Sequence, residues 1–502
     1  MQEHFDLDKI LINFPSSQGT SNFTIRDAVE GVQIFGGIGS GKSSGSGRLF
    51  ACKYLAAGFG GLVHTAKADE KNAWIEYCKE NNRLNDLIII EPGGPHAFNF
   101  LEYESGNRIG DISITENIVQ VLKTVIRASE EKSGGKSDDP FWETALDMLI
   151  FNTLDLCQLA YGKASVEQLY NIVMTAPKKD TNPIEKENDK NSFSFVFDKA
   201  YKNVKQEIDL LNERLSADEL SKCRDDDDYY NQVLAEKAPS SKLFESIHQF
   251  FFENYKNLSE KTRSIIEFSF SGFLFRLLKD PVYSLFCSKA STVVPEDCFT
   301  GKILLINLPV KLYHKVGRDI QVMFKYIWQR AMEKRDIAMN GRPVFLYADE
   351  SQHFIHEYDA EYQATARSSR IATVYISQNI PNYHANMGGA NSEYKVKSFL
   401  GTLGTKIFHA NADIETNKYA SDLIGEAYME DVHRSRQIGG DFSKGESVSY
   451  KLEKIIRPEE FPGMLTGGPG NNYEVEGYVH RQGKTFIDGS VFRKIIFRQK
   501  TP

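Results

Sequence analysis

Short apolar runs alternate with helical stretches at both ends of the chain. Seven such runs are GVQIF (31–35), GLVHTA (61–66), LIIIEP (87–92), KILLINLP (302–309), VFLYADE (344–350), IATVYISQN (371–379) and TKIFHA (405–410). Continuous apolar runs of this length, separated by helices, are typical of buried parallel strands. The pattern therefore predicts an α/β domain whose strands come from two separate parts of the sequence.

The middle of the chain has a helical pattern instead. In the segment 139–157, apolar and small side chains recur at three- and four-residue steps, which places them on one helix face. These positions are Trp142, Leu146, Leu149, Thr153 and Leu156. The pattern predicts a helical domain inserted between the third and the fourth strand of the α/β domain.

These patterns divide the chain into four segments. We predict the first part of the α/β domain over 1–100, the inserted all-α domain over 101–298, the second part of the α/β domain over 299–470, and a β-rich C-terminal extension over 471–502. The extension contains short strand-like runs and turns, so we expect it to add edge strands or a small subdomain.

Two clusters in the helical region invite a functional interpretation. The four phenylalanines of FSFSGFLFRLLKDP (268–281), Phe268, Phe270, Phe273 and Phe275, could form a binding stripe, but core packing is favoured because large apolar residues usually fill cores. The acidic run Asp225–Asp228 is interpreted as a solvated loop.

Composition excludes several classes of protein. The 502 residues are 41% hydrophobic and 25% charged, which is ordinary globular usage, and the net charge is -8. A net negative charge is not typical of nucleic-acid-binding proteins, so any DNA contact has to come from a local basic surface. The six cysteines form no CxxC pair, and neither a signal peptide nor a long apolar window is found. We expect a reduced, cytoplasmic protein, or one held peripherally at the inner face of the membrane.

The loop between the first strand and the next helix has the spacing of a phosphate cradle. Gly36 to Ser43 reads GGIGSGKS and matches G-x-x-x-x-G-K-[ST]. Glycine and serine also compose flexible linkers, but a linker would not join a buried strand to a helix. The predicted nucleotide-binding residues are Gly36, Gly37, Ile38, Gly39, Ser40, Gly41, Lys42, Ser43 and Ser44. Lys42 would reach the β- and γ-phosphates of ATP, and the Ser43 hydroxyl would bind Mg²⁺.

An acidic pair ends the strand VFLYADE. The carboxyl ends of strands in an open α/β sheet face the ligand crevice. Asp349 would hold Mg²⁺ through its water shell, and Glu350 would orient and deprotonate the attacking water. The alternative is a strand that ends in a polar turn.

Two further side chains are candidates for the same reaction. Gln378 follows the next strand and could bond the γ-phosphate or the lytic water, although it could also be a turn residue. Arg367 lies in the connection before that strand and could reach the nucleotide of a neighbouring subunit as an arginine finger. A surface salt bridge is its alternative role.

The glycines continue beyond the cradle, at Gly45 and Gly47. Glycine inside a helix costs up to about 1 kcal/mol, so each of these positions needs a reason. We predict that this first helical turn packs closely against the sheet or against a neighbouring subunit.

Taken together, these blocks resemble the conjugative coupling ATPases of type IV secretion systems, the TraG/TraD family, and more distantly the HerA and FtsK DNA translocases. The segments that carry the resemblance span roughly 25–470 and are GSGKSSGSG (39–47), AGFGGLVHTAKADEKNAW (57–74), FNFLEYE (98–104), DPFWETALDML (139–149), FLYADESQHF (345–354), ARSSRIATVYISQN (366–379) and IETNKYASDLIGE (414–426). The cradle and the acidic pair are shared by many ATPases, whereas the TAKADE and DPFW segments and the order of the blocks are more specific.

The resemblance implies a RecA-like P-loop NTPase domain with an inserted all-α domain, assembled as a hexameric ring. It implies an ATP- and Mg²⁺-dependent motor that pumps single- or double-stranded DNA toward a secretion channel, with the relaxosome or secretion-channel ATPases as partners. Many coupling proteins begin with transmembrane helices, and no such segment is found in this sequence. Two alternatives remain open: a HerA-like translocase that works with a nuclease, and an ATP-gated adaptor that recruits protein substrates.

Overall fold

The computed structural model describes residues 5–16, 19–106, 114–131, 140–179, 192–356, 358–387, 391–437 and 443–501. The chain divides into two compact units. One contains residues 1–89 and 295–502, and the other contains residues 90–294. The division into four segments made from the sequence stays a prediction.

The first part of the chain begins with a hairpin and continues into the predicted strands. Its elements are β1 Ile10–Ser16, β2 Gly19–Thr24, α1 Ile25–Ala28, β3 Val32–Phe35, α2 Arg48–Ala56, β4 Gly60–His64, α3 Glu70–Glu80 and β5 Leu87–Ile90. The hairpin β1–β2 is antiparallel and was not predicted from the sequence.

The described part of the second unit is built from helices. They are α4 Phe100–Gly106, α5 Ile114–Glu131, α6 Pro140–Tyr161, α7 Val166–Thr175, α8 Phe193–Arg214, α9 Ala217–Asp225, α10 Asp227–Lys237, α11 Pro239–Gln249 and α12 Glu260–Leu277. Helix α6 contains the stripe predicted from three- and four-residue spacing, and its Leu149 and Leu156 are buried.

The C-terminal part returns to alternating strands and helices. Its elements are β6 Ile303–Ile306, α13 Val310–Glu333, β7 Val344–Ala348, α14 Tyr358–Ala366, β8 Ile371–Ser377, α15 Ile380–Met387, α16 Ser392–Gly401, β9 Thr405–Phe408, α17 Ile414–Ile424, β10 Glu426–Gln437, β11 Ser443–Lys454, β12 Glu474–Arg481 and β13 Phe492–Arg498.

A nine-stranded sheet in the order β13-β12-β9-β3-β8-β7-β4-β6-β5 organises the first unit. All seven predicted strands belong to it. The pairs from β9 through β3, β8, β7 and β4 to β6 are parallel. Every residue of β3, β4, β6, β7, β8 and β9 is buried, which explains their continuous apolar runs. The predicted α/β fold class is confirmed.

The C-terminal strands complete one edge of this sheet. Strand β12 pairs antiparallel with β9, and β13 pairs antiparallel with β12. The 471–502 extension therefore adds edge strands, the first of the two expectations. The long hairpin β10–β11 forms a separate two-stranded sheet and was not predicted.

Two interpretations of the helical region need correction. Core packing of the phenylalanines is right for Phe270 and Phe273, which are buried, but Phe268 and Phe275 are 74% and 46% exposed. The acidic run is exposed but is not a loop. Asp226 lies between α9 and α10 and caps α10, because its carboxylate accepts a hydrogen bond from the Tyr229 amide (3.0 Å).

Two other sequence expectations can be compared with the described residues. All six cysteines lie among them, and each is unpaired. Within the same part of the chain, no helix is both long and apolar enough to cross a bilayer.

Gly272 offers a test of the helix packing in α12. A Cβ placed on it would have no neighbour within 4 Å, so Gly272→Ala is expected to stabilise the second unit by roughly 0.5–1 kcal/mol, measured by urea denaturation. Gly317 in α13 is the matched control, because a Cβ there would lie 2.7 Å from the Leu308 carbonyl oxygen. Gly317→Ala should destabilise the fold. The same sign for both variants would contradict this account of the two glycines.

Candidate nucleotide site

The glycine-rich loop Gly36–Ser43 joins β3 to the helix that follows. The Gly37 amide donates to the carbonyl of Ala410, just beyond β9 (2.8 Å), which anchors the start of the loop. Gly39 and Gly41 have φ values of 73° and 78°, a region that residues with a side chain rarely adopt. Backbone turns of this kind expose successive N–H groups and form anion-binding nests.

Lys42 folds back over this loop. Its side chain is largely buried, and its Nζ lies 3.5 Å from the Gly37 carbonyl oxygen. Burial lowers the pKa of Lys42, and the carboxylates of Glu350 and Asp349 oppose that change. The ammonium therefore lies beside the glycine-rich loop, and its contact with the phosphates of ATP stays a prediction.

The other predicted loop residues differ in their surroundings. Ile38 is 90% exposed at the tip of the loop, and Ser40 Oγ is buried with no hydrogen-bond partner among the described residues. Ser43 is half-buried. The Ser44 hydroxyl accepts a hydrogen bond from Gln499 (2.6 Å), so its side chain is engaged by the C-terminal segment.

The glycines beyond the cradle lie in a π-helical turn, Ser43–Gly47. A Cβ on Gly47 would lie 2.7 Å from Tyr347 Oη and 2.8 Å from Ile376 Cδ1. A Cβ on Gly45 would lie 3.3 Å from Val475. The turn thus packs against strands β7, β8 and β12, and the predicted close packing against the sheet is confirmed.

A buried histidine lies behind the same turn. His409, directly beyond β9, has its Nδ1 2.7 Å from the Glu476 carbonyl oxygen and its Nε2 2.7 Å from Ser46 Oγ. A carbonyl can only accept, so Nδ1 carries the proton and Nε2 accepts from the Ser46 hydroxyl. Burial lowers the pKa of His409 to about 4, so the ring is neutral and ties the turn to β9 and β12.

The acidic pair lies where the sequence predicts, directly after β7. Asp349 and Glu350 are 7% and 4% exposed. Glu350 has a left-handed backbone (φ 49°), which costs about 1 kcal/mol or more outside glycine. Its amide donates to Asp349 Oδ1 (2.8 Å). Ser351 secures the turn, because its hydroxyl contacts the Ile376 carbonyl oxygen (3.0 Å).

Three side chains surround the Glu350 carboxylate. Gln352 Nε2 donates to Oε2 (2.9 Å), and Lys67 Nζ lies 3.2 Å from Oε1. Gln378 Nε2 is 3.4 Å and 3.3 Å from the two oxygens. Gln352 is itself held by the Ser377 hydroxyl (3.0 Å). Glu350 and Gln378, both predicted, are thus brought together, with Gln378 directly after the neighbouring strand β8.

The electrostatics of the pocket keep Glu350 ionised. Burial alone would raise its pKa, but the hydrogen bond from Gln352 and the charges of Lys42 and Lys67 lower the pKa to about 2. Glu70 behaves in the opposite way, because burial and the charge of Asp349 raise its pKa to about 8. The site therefore favours the ionised form of Glu350 and the protonated form of Glu70.

Arg367 is not brought to this site within the chain. It precedes β8, whereas Gln378 follows that strand, and the seven residues of β8 alone span roughly 20 Å. The Arg367 side chain is 62% exposed and pairs with Glu30 (3.6 Å). Arg370 is a less suitable arginine finger than Arg367, because its guanidinium donates to the Gly341 carbonyl (2.7 Å).

The residues present fit a nucleotide with Mg²⁺. The loop around Lys42 has the shape of an anion nest, and Ser43 and Asp349 supply the hydroxyl and carboxylate oxygens that Mg²⁺ prefers. Among the described residues, no group of three or more His, Cys, Asp or Glu side chains is placed to hold a metal ion. A magnesium ion held largely by phosphates and water needs only one or two such protein oxygens.

Sequence reasoning missed three residues of this site: Lys67, Gln352 and His409. Lys67 follows β4 by three residues, and His409 directly follows β9, as Gln378 directly follows β8. The rule that carboxyl ends of parallel strands share one edge of the sheet could have found both. Gln352 carried no such signal, because it reaches Glu350 only through the tight turn after β7.

Comparison with known proteins confirms the resemblance seen in the sequence. Residues 343–465 match the family described as the TraM recognition site of TraD and TraG. This segment includes the acidic pair, Gln378 and the hairpin β10–β11. No curated protein sequence matches the chain significantly.

Solved structures share the fold across the whole chain. The bacterial conjugative coupling protein TrwBdeltaN70 in its trigonal form with sulphate is 11% identical, with a TM-score of 0.59 over 100% of this chain and 97% of that one. Its unbound monoclinic form is 12% identical, with a TM-score of 0.58 over 99% and 91%. TrwB in complex with the ATP analogue ADPNP is 12% identical, with a TM-score of 0.56 over 100% and 97%.

Proposed function

We propose that the protein is an ATP-driven DNA translocase of the conjugative coupling kind. It would work as a hexameric ring that binds ATP and Mg²⁺ and moves DNA toward a secretion channel. The observation that carries this proposal is the convergence of Lys42, Glu350 and Gln378 at one edge of the sheet, in a chain with the fold of coupling protein TrwB.

The proposal gives each residue of the site a task. The loop amides and Lys42 would bind the phosphates, while Ser43 and Asp349 would hold Mg²⁺, which would neutralise charge on the phosphates. Glu350 would accept a proton from the attacking water, and Gln378 would orient that water beside it. Support for these ligands comes from TrwB, whose solved structures include complexes with ADPNP and with ADP and Mg²⁺.

Arg367 would act on a neighbouring copy. Its exposure and its weak ion pair leave the guanidinium able to turn outward, toward the nucleotide of the next subunit. This role and the hexamer depend on one another. The mass of the assembly, measured with ATP and DNA present, tests the ring directly.

Partner proteins form part of the same proposal. The matched segment 343–465 is described by its role in TraM recognition in TraD and TraG, which supports a relaxosome component as the partner. The protein would then join a relaxosome to the channel at the inner face of the membrane.

DNA-stimulated ATP turnover tests the translocase proposal. We expect single- or double-stranded DNA to raise turnover by the full-length protein several-fold, and Lys42→Ala to abolish turnover with or without DNA. Lys302→Met is the control, because Lys302 forms an ion pair with Asp86 away from the loop (3.0 Å). An ATPase that DNA does not stimulate would favour the adaptor alternative instead.

A further inference from the structure

The site contains a second lysine that the proposed mechanism does not use. Strand β4 pairs parallel with β7, with His64 opposite Ala348. Lys67 lies three residues beyond His64, and Glu350 lies two residues beyond Ala348, so both follow the same end of these paired strands. Lys67 therefore lies beside the acidic pair, on the opposite side of β7 from Gln378.

The backbone of Lys67 is held by hydrogen bonds, while its side chain is partly exposed. Glu70 Oε2 accepts the amides of Ala66 (2.7 Å) and Lys67 (3.2 Å), which anchors this turn at the start of α3. The Lys67 side chain is 32% exposed, compared with 6% for Glu350. The ammonium can therefore move further than the carboxylate it contacts.

The two oxygens of Glu350 are held in different ways. Oε2 is bound by Gln352 (2.9 Å), which is locked by the buried Ser377 hydroxyl (3.0 Å). Oε1 faces Lys67 (3.2 Å), with Gln378 further away (3.4 Å). A carboxylate that accepts a proton from water needs one free oxygen. Only Oε1, whose nearest partner is the more exposed Lys67, can supply it without breaking the buried hydrogen bonds from Ser377 through Gln352.

We propose that Lys67 is a nucleotide-dependent latch that pairs with Glu350 in the empty site and transfers to the γ-phosphate when ATP binds. The γ-phosphate carries more negative charge than one carboxylate and is the stronger partner for an ammonium ion. The transfer frees Glu350 Oε1 for the attacking water, while Gln352 keeps Oε2 in place. Gln352 is thus a positioning residue. ADP lacks the γ-phosphate and leaves the latch closed.

This inference rests on the proposed function because it takes ATP as the ligand. It differs from a purely structural ion pair in one measurable respect. A structural pair stabilises the fold and affects ADP and ATP alike, whereas a latch distinguishes the two nucleotides.

Equilibrium binding of ADP and of ADPNP, each with Mg²⁺, tests the latch in the full-length protein. Lys67→Met is expected to weaken ADPNP binding about ten- to hundred-fold, because a charge-assisted contact is lost, and to leave ADP binding unchanged. Retained ADP binding also shows that the variant is folded. Lys302→Met, which removes a lysine of similar exposure (36%) from an ion pair outside the site, should change neither affinity.

A second variant tests the exchange of partners. Glu350→Gln removes the carboxylate that competes for Lys67, so ADPNP should bind about two- to five-fold more tightly. The gain should disappear in Lys67→Met/Glu350→Gln. A gain that persists in the double variant would overturn the exchange, because it would not depend on Lys67.

The remaining outcomes separate the two proposals. If Lys67→Met weakened ADP and ADPNP equally, or neither, the latch would be wrong while the nucleotide site stood. If the wild-type protein bound neither nucleotide, the proposed function and the latch would fall together.

Discussion

Replacing Glu350 with glutamine is expected to lower ATP turnover by about a hundred-fold or more without weakening ATP binding. Glutamine keeps the shape of the side chain and can still accept from Gln352, but it cannot take a proton from water. The loop amides and Lys42, which would hold the phosphates, are unchanged. Steady-state turnover with DNA, combined with ADPNP binding on the same preparation, measures both effects.

A matched control separates this effect from the loss of any surface charge. Glu361 is exposed on α14, so Glu361→Gln should turn over ATP at the wild-type rate. Normal turnover by Glu350→Gln would show that another group is the base. A loss of ADPNP binding together with turnover would mean that the substitution disturbs the site as a whole.

The strand pattern explains why this part of the site could be predicted. Asp349, Glu350 and Gln378 directly follow apolar runs, and those runs are fully buried strands. Once parallel pairing is assumed, chain order is enough to bring such residues to one edge of the sheet. The loop residues were predictable for a similar reason, because their spacing is set by the backbone contacts that phosphate requires.

The contacts around Glu350 were not predictable in the same way. Gln352 reaches the carboxylate only because Glu350 takes a left-handed backbone, and a sequence does not reveal a single unusual φ. The shared edge of the carboxyl ends could have placed Lys67 near the site, but its contact with Glu350 depends on the strand order that puts β4 next to β7. Local pattern predicts which strands exist, whereas their order in the sheet depends on packing across the whole domain.

The phenylalanines of helix α12 show a second case in which the sequence pattern did not predict the structure. Phe268, Phe270, Phe273 and Phe275 are identical side chains within eight residues, yet two are buried and two are exposed. Their helix has one face on its neighbours, and the mixed spacing places phenylalanines on both sides. Residue type alone therefore predicted burial wrongly at Phe268 and Phe275.

Leucine at Gly47 is expected to destabilise the protein by on the order of 3 kcal/mol or more, or to prevent folding. Even a Cβ at this position would come within 2.7 Å of Tyr347 Oη, 2.8 Å of Ile376 Cδ1 and 3.0 Å of the Lys42 carbonyl oxygen. Tyr347 and Ile376 are buried in the central strands β7 and β8, so they have little room to move. Domains are typically stable by only about 5–15 kcal/mol.

Three glycine variants give a ranked test of this packing by urea denaturation and soluble yield. Gly45→Leu should cost less than Gly47→Leu, because its nearest contact is Val475 at 3.3 Å, near the edge of the sheet. Gly401→Leu is the control at the end of α16, where a Cβ would meet nothing within 4 Å. Equal stability of Gly47→Leu and Gly401→Leu would contradict the packing. The contacts of Gly45 and Gly47 lie within one chain, so the loss of stability should also appear in the monomer. If the glycines served only to pack against a neighbouring subunit, the variants would lose stability only in the assembled protein.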